Sequence, residues 1–130
     1  MMKILIVEDD ELSLNLLKIY LKKMKISDEN IFSTDFGDDA IEFCKNNDDI
    51  SFVLMDINLG IGRGKEGKDG KEVTKEILKN KFVPIIMVTA QSSINDRFKS
   101  LECGCLEHIS KPMSFKILHD VLFNLKLIKE

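Results

Sequence analysis

The sequence predicts an α/β protein built on a single doubly wound, five-stranded parallel sheet with helices on both faces. Three observations carry that expectation. Short apolar runs of good β-formers alternate with amphipathic helical stretches through the whole chain. Those runs are apolar at nearly every position, as strands covered on both faces require. Polar residues able to do chemistry follow several of them directly, where open parallel sheets place their ligand crevices.

Lys3 to Val7 reads as the first strand, and Asp10 is placed to cap a helix carrying Leu12, Leu16, Ile19 and Tyr20 at helical spacing. Asn30 to Ser33 reads as a short second strand. A helix from about Asp38 through Cys44 follows, closed by the polar run Asn46 to Asp49. Ser51 to Met55 is the third strand, and it ends abruptly in the carboxylate of Asp56. After a glycine-rich loop, Lys71 to Lys79 reads as a helix with Val73, Ile77 and Leu78 inward, and Pro84 introduces the fourth strand, Ile85 to Val88. A helix around Asn95 to Leu101 leads to a strand near Leu106 to Ile109. The last helix runs from Ser114 to Leu127, with Ile117, Leu118, Val121, Leu122 and Leu125 as its inner stripe. Strict alternation of this kind implies right-handed crossovers. No linker is visible, so residues 1–130 are expected to form one domain.

Composition narrows the function classes. With 32% charged and 44% hydrophobic residues, the chain has an ordinary globular make-up and can bury a core without metals or disulfides. Nineteen basic against 22 acidic residues give a formal charge of −3, and no long basic run argues for nucleic acid or membrane contact. A strand begins within three residues of the start, leaving no room for a signal peptide, and no apolar run approaches spanning length. A cytoplasmic protein is expected. Cys44, Cys103 and Cys105 are odd in number and lack a CxxC pattern, which points to free thiols in or near the core.

The strand ends supply a constellation. Glu8-Asp9-Asp10 follows the first strand, Asp56 the third, Thr89-Ala90 the fourth and Lys111-Pro112 the fifth. Each has a plainer reading: solvated loop acids, a turn-opening aspartate, a strand-ending threonine, a surface lysine. Brought to one edge of a sheet, however, crowded carboxylates repel one another unless a hard cation sits between them. Few protein oxygens with several waters is the coordination Mg²⁺ prefers. A divalent-metal site is expected.

Ile4-Leu5-Ile6-Val7-Glu8-Asp9-Asp10, Leu54-Met55-Asp56, Val88-Thr89-Ala90 and Lys111-Pro112 together resemble the receiver domain of two-component response regulators. The likeness runs over essentially the whole chain, and the set of motifs is specific where each alone is weak. It implies a flavodoxin-like fold of strand order 2-1-3-4-5. It also implies a phosphorylation-switched signalling domain, not an enzyme beyond its own phosphorylation and autodephosphorylation. By position, Asp56 would be the phosphoacceptor, charged by a sensor histidine kinase or a histidine phosphotransfer protein. Glu8 and Asp9 would hold Mg²⁺ with Asp56 and the backbone carbonyl of Asn58. Phosphoryl transfer needs an in-line nucleophile and charge neutralisation, which Asp56, Mg²⁺ and Lys111 would supply. Thr89 would then bond the phosphoryl group and draw its loop inward.

The resemblance also assigns the remaining positions. His108 stands where the family usually carries an inward Phe or Tyr, so a smaller, titratable ring implies a weaker or pH-sensitive switch. A solvent-facing histidine is the plainer reading. Asn58 and Gln91 occupy positions that tune phosphoryl lifetime, and Lys111-Pro112 resembles the family's cis peptide bond. Output would pass through the face of the fourth helix, fifth strand and last helix, to a downstream protein or by homodimer formation on phosphorylation. Both a stand-alone receiver and a piece of a longer regulator or hybrid kinase fit.

The segment from Gly60 to Gly70 departs from the family pattern: five of seven glycines lie here, with Arg63, Lys65 and Lys68 between them, and several residues look inserted. A mobile loop is expected. Gly62, Gly67 and Lys68 nearly spell a phosphate-binding P-loop, which offers a nucleotide-binding alternative, but Asp69 replaces the Ser or Thr that would ligate Mg²⁺. A receiver-like docking module that is never phosphorylated is a third reading.

Overall fold

The computed structural model describes residues 2–59 and 68–129. Among these, strands β1 (Ile4–Val7), β2 (Ile31–Thr34), β3 (Phe52–Met55), β4 (Ile85–Thr89) and β5 (Glu107–Ser110) form one parallel sheet in the order β2-β1-β3-β4-β5. Helices α1 (Glu11–Lys23), α2 (Gly37–Asn46), α3 (Gly70–Asn80), α4 (Ile94–Glu102) and α5 (Phe115–Asn124) alternate with them, and a 3₁₀ turn at Asp28–Asn30 precedes β2. The expected flavodoxin-like fold and strand order are present. β1 and β3 are neighbours at the sheet centre, with Ile4 opposite Phe52 and Val7 opposite Met55. The chain winds outward from there in both directions, which opens a crevice at the carboxyl ends of these two strands.

Every residue of β1, β3 and β4 is buried. Successive side chains take opposite faces. Leu5, Val7, Val53, Met55 and Met87 therefore pack with Val73 and Ile77 of α3 and with Ala40 and Cys44 of α2. Ile4, Ile6, Leu54, Ile86 and Val88 pack on the other side with Leu17 and Leu21 of α1 and Leu118 and Leu122 of α5. Each strand is thus clamped between two helical layers, and its end is held in place. No described helix is long and apolar enough to cross a membrane.

Four helices start on side-chain caps. Asp10 accepts from Ser13 N at 2.9 Å, Asp69 from Lys71 N at 2.9 Å and Glu72 N at 3.0 Å, and Ser114 from Ile117 N at 3.2 Å. Ser93 and Asp96 cap α4 reciprocally. The Asp10 cap matches the sequence expectation.

The buried faces of α1 and α5 are narrower than their apolar spacing suggests. On α1, Leu17 and Leu21 are buried, whereas Leu12 is 80% exposed and Ile19 faces solvent. Leucine and isoleucine occur around much of this helix, so two stripes were open, and docking between β1 and α5 selected one. On α5, Leu118 and Leu122 are buried as expected but Ile117 is exposed. That helix also ends at Asn124 rather than Leu127. Lys126 adopts a φ of 61°, and Leu127 N bonds Leu122 O at 2.9 Å, so the chain turns Ile128 back into the core. α1 ends in the same way through Lys25, with a φ of 67°. Glycine or asparagine is the usual signal for such a turn, and neither stands there. β2 and β5 each lie one residue later than expected. All three cysteines are free and buried.

Candidate functional site

The carboxyl ends of β1, β3, β4 and β5 bring the expected residues together. Lys111, just beyond β5, places Nζ 2.6 Å from Glu8 Oε1 and 3.0 Å from Asp56 Oδ2. The other carboxylate oxygens accept backbone amides: Glu8 Oε2 from Asp10 N at 3.1 Å and Asp56 Oδ1 from Asn58 N at 3.3 Å. Glu8 and Asp56 are buried, while Asp9 is exposed beside them. One carboxylate oxygen from each of these three lies within 4.8 Å of the others.

The electrostatics of this cluster are unbalanced. Burial pushes the Glu8 carboxyl up to about 7, with the nearby Asp56 adding to the rise and Lys111 opposing it. Burial and the Asp56 charge raise Asp9 as well. Burial pulls Lys111 down, but its contacts with Glu8 and Asp56 prevail and hold it above the ordinary lysine value. One ammonium serves two buried carboxylates with a third at the rim. The donor set is all oxygen, so the residues present fit a hard divalent cation.

A second group of contacts leads away from Asp56 toward α4. Thr89 is fully buried, and its Oγ1 accepts from Gln91 N at 3.2 Å. The Gln91 amide bonds the side-chain carbonyl of Asn58, so the segments that follow β3 and β4 are joined there. Ser92 Oγ donates to Thr89 O at 3.0 Å and stands 3.5 Å from His108 Nε2. On the other ring edge, His108 Nδ1 is 2.9 Å from Ser100 Oγ of α4. His108 is buried, so the solvent-facing reading does not apply. Lys111 N bonds Thr89 O at 2.9 Å, and the Lys111-Pro112 peptide is cis.

Several members of this arrangement escaped the sequence. Ser92 and Ser100 link His108 to the β4 end and to α4, and Arg97 bonds Ser110 Oγ at 2.6 Å. A small polar residue on a helix carries no periodic signal, so only its place opposite His108 reveals Ser100. Gly70 was legible as a glycine but not as the residue that lets α3 approach the Asp56 main chain.

The expected P-loop and insertion lie largely outside the described residues, which omit Gly60 to Gly67. Lys68 and Asp69 are described. Lys68 Nζ is 3.6 Å from Asp38, and Asp69 occupies amides at the start of α3 that a phosphate cradle would need free.

The family model for the response regulator receiver domain matches residues 4–123. The chain belongs to the response regulator receiver domain family. Solved receivers agree with this one over nearly their full lengths. The activated N-terminal receiver domain of Klebsiella pneumoniae RstA is 29% identical, with a TM-score of 0.81, and the match covers 98% of this chain and 99% of that one. A two-component response regulator from Clostridium difficile is 24% identical at a TM-score of 0.81, covering 97% of each. The receiver domain of a Pseudomonas aeruginosa sensor histidine kinase is 24% identical at a TM-score of 0.78, covering 95% of each, and that structure holds a magnesium ion in its active-site cleft. In this receiver, Glu8, Asp9 and Asp56 form an acidic cluster able to hold a metal.

Proposed function

We propose that this receiver takes a phosphoryl group onto Asp56 from a sensor histidine kinase or a histidine phosphotransfer protein, with Mg²⁺ as cofactor. The observation that carries the reading is the shared lysine: Lys111 Nζ touches both Glu8 Oε1 and Asp56 Oδ2 in a cluster where three carboxyl groups face one ammonium. Bound by Glu8, Asp9, Asp56 and the Asn58 backbone carbonyl, Mg²⁺ would neutralise the transferring phosphoryl oxygens. The Asp56 carboxylate oxygen attacks phosphorus, the new O–P bond forms as the P–N bond of the donor phosphohistidine breaks, and the imidazole leaves with the electron pair. Lys111 exchanges part of its contact with Asp56 for a phosphoryl oxygen. Asn58 and Gln91, joined by a side-chain hydrogen bond, stand at the positions that tune phosphoryl lifetime, and their polar, uncharged side chains fit water access to the acyl phosphate.

Thr89 turns its hydroxyl from the Gln91 amide to the phosphoryl group, and the β4–α4 segment follows. His108, bonded to Ser100, carries that displacement to α4. The readout face is α4, β5 and α5, where Ile94, Phe98, Leu101 and Ile117 stay exposed. A downstream protein binds there, or a second copy on phosphorylation. The whole of residues 1–130 acts as one cytoplasmic receiver domain that catalyses nothing beyond its own phosphorylation and dephosphorylation.

Incubation with acetyl phosphate and Mg²⁺ tests this by intact mass. One phosphoryl adduct is expected, absent with EDTA and absent in Asp56→Asn. An unmodified wild-type mass, together with failure to bind beryllofluoride, would leave the docking module as the better reading.

A further inference from the structure

We propose, on the phosphoacceptor reading above, that Ser100 is the latch that seats α4 on the sheet, gripping His108, which Ser92 holds as its Nε2–H tautomer. Buried apolar side chains fix α1, α2, α3 and α5 against the strands. The fourth helix is different. Within α4 the one buried residue is Ser100, and no residue of that helix belongs to either apolar core. Its contacts with β5 are polar: Ser100 Oγ lies 2.9 Å from His108 Nδ1, while Arg97 bonds Ser110 Oγ at 2.6 Å and reaches His108 O at 3.5 Å. Of these, only the Ser100–His108 bond is fully buried, so water cannot readily take its place. An apolar seat tolerates sliding, whereas a hydrogen bond holds only over a narrow range of distance and angle.

The far end of this contact fixes where the ring proton lies. Ser92 Oγ gives its single proton to Thr89 O at 3.0 Å, so toward His108 Nε2, 3.5 Å away, it can only accept. Nε2 therefore carries the proton, Nδ1 is the acceptor, and Ser100 Oγ donates to it. The bonds run one way from α4 to the end of β4: Ser100 to His108, His108 to Ser92, Ser92 to the Thr89 carbonyl.

The Ser92 contact is the long one in this chain, and it opens first when the β4–α4 segment moves toward a phosphoryl group. A buried Nε2–H then lacks its acceptor, which favours a turn of the ring, and Ser100 follows with α4. Ties at both edges let a small ring transmit a displacement that its volume alone would not enforce. Ser92 and Ser100 are thus positioning residues for the switch.

The ring nitrogens are read first, by nuclear magnetic resonance of isotope-labelled, unactivated wild type at mildly alkaline pH. His108 should show a protonated Nε2 and a bare Nδ1. The Nδ1–H tautomer, or a rapid average of the two, would overturn the proposal, and this measurement needs neither a variant nor a phosphoryl group. In Ser92→Ala the Nδ1–H form should gain population, and an unchanged tautomer would remove the part given to Ser92. Amide shifts are then followed on adding beryllofluoride with Mg²⁺. Thr89, Gln91 and α4 should all respond in the wild type. In Ser100→Ala, Thr89 and Gln91 should respond as before, while the change across α4 falls about twofold or more, the least expected of groups in direct contact. In a His108→Phe background, Ser100→Ala should cause no further fall. An α4 response that is unchanged in Ser100→Ala, or that falls equally in both backgrounds, would overturn the latch. A wild type silent at Thr89 and Gln91 defeats the phosphoacceptor reading and the latch's role in the switch with it, and that failure is told apart at those two amides.

Discussion

Gly70 lies against the main chain of Asp56. A β-carbon at this position would collide with the Asp56 carbonyl oxygen and come within 2.9 Å of the Ile57 α-carbon, while Gly70 N donates to Ile57 O at 2.7 Å. The first turn of α3 thereby braces the strand end that carries the proposed phosphoacceptor. Gly70→Ala is expected to cost about 1–3 kcal/mol, the usual range for overpacking a tight contact. Urea unfolding measures that loss, and phosphoryl incorporation should fall with it. Unchanged stability would mean that α3 can slide away without disturbing Asp56.

Metal addition should stabilise this protein because the acidic cluster holds three carboxyl groups against the single ammonium of Lys111. Binding to the folded state alone gives about 2.7 kcal/mol at a ligand concentration one hundred times Kd. Asp9 is the exposed member and makes no contact with Lys111. Asp9→Asn should therefore fold normally yet lose most of the Mg²⁺-induced rise in Tm. An equal rise in both proteins would place the metal elsewhere.

Lys111→Met removes the only cation contacting both buried carboxylates among the described residues. Breaking a buried pair in this way costs of order 3 kcal/mol, because a charge is left unpaired. Protonation or Mg²⁺ relieves the penalty, so the deficit relative to wild type should shrink when Mg²⁺ is added. Thermal melts with and without the metal read this out, and phosphoryl incorporation should be lost throughout.

His108 makes stability depend on pH in a definite direction. Burial, with the charge of Arg97, holds the imidazole below its ordinary value of 6.5, against smaller opposing effects of Asp96 and Glu107. The folded state keeps the ring neutral, so below pH 6.5 the unfolded chain binds more protons. The contribution is complete above 6.5 and is lost as pH falls from there through the folded value. Any pH sensitivity of the switch therefore belongs below 6.5 rather than across the neutral range. Wild-type unfolding free energy should drop more steeply than that of His108→Phe between pH 7 and pH 5.5, and parallel slopes would refute the assignment.

Much of the site was legible because strand ends are local features. Glu8, Asp56, Thr89 and Lys111 each follow an apolar run at once, and a parallel sheet needs only its crossovers to bring those ends to one edge. The helix phases were harder to read. Leu12, Leu16, Ile19 and Tyr20 mark a helix by their spacing, but α1 has apolar residues on more than one face and packing chose the Leu17–Leu21 stripe. The ends of α1 and α5 were equally hidden, since lysines at positive φ carry no turn signal of their own.

The sequence by itself determined the sheet: β1, β3 and β4 are apolar throughout, and only strands buried on both faces tolerate that composition. It also determined the order of the chemical groups along the chain. Tertiary structure decided which of them touch. Lys111 meets Glu8 across 103 residues and Asp56 across 55, and Ser100 meets His108 from a different element. Contacts of that kind depend on helices docking between fixed strands, where the balance of burial against charge is set by every neighbour at once and by no single stretch of sequence.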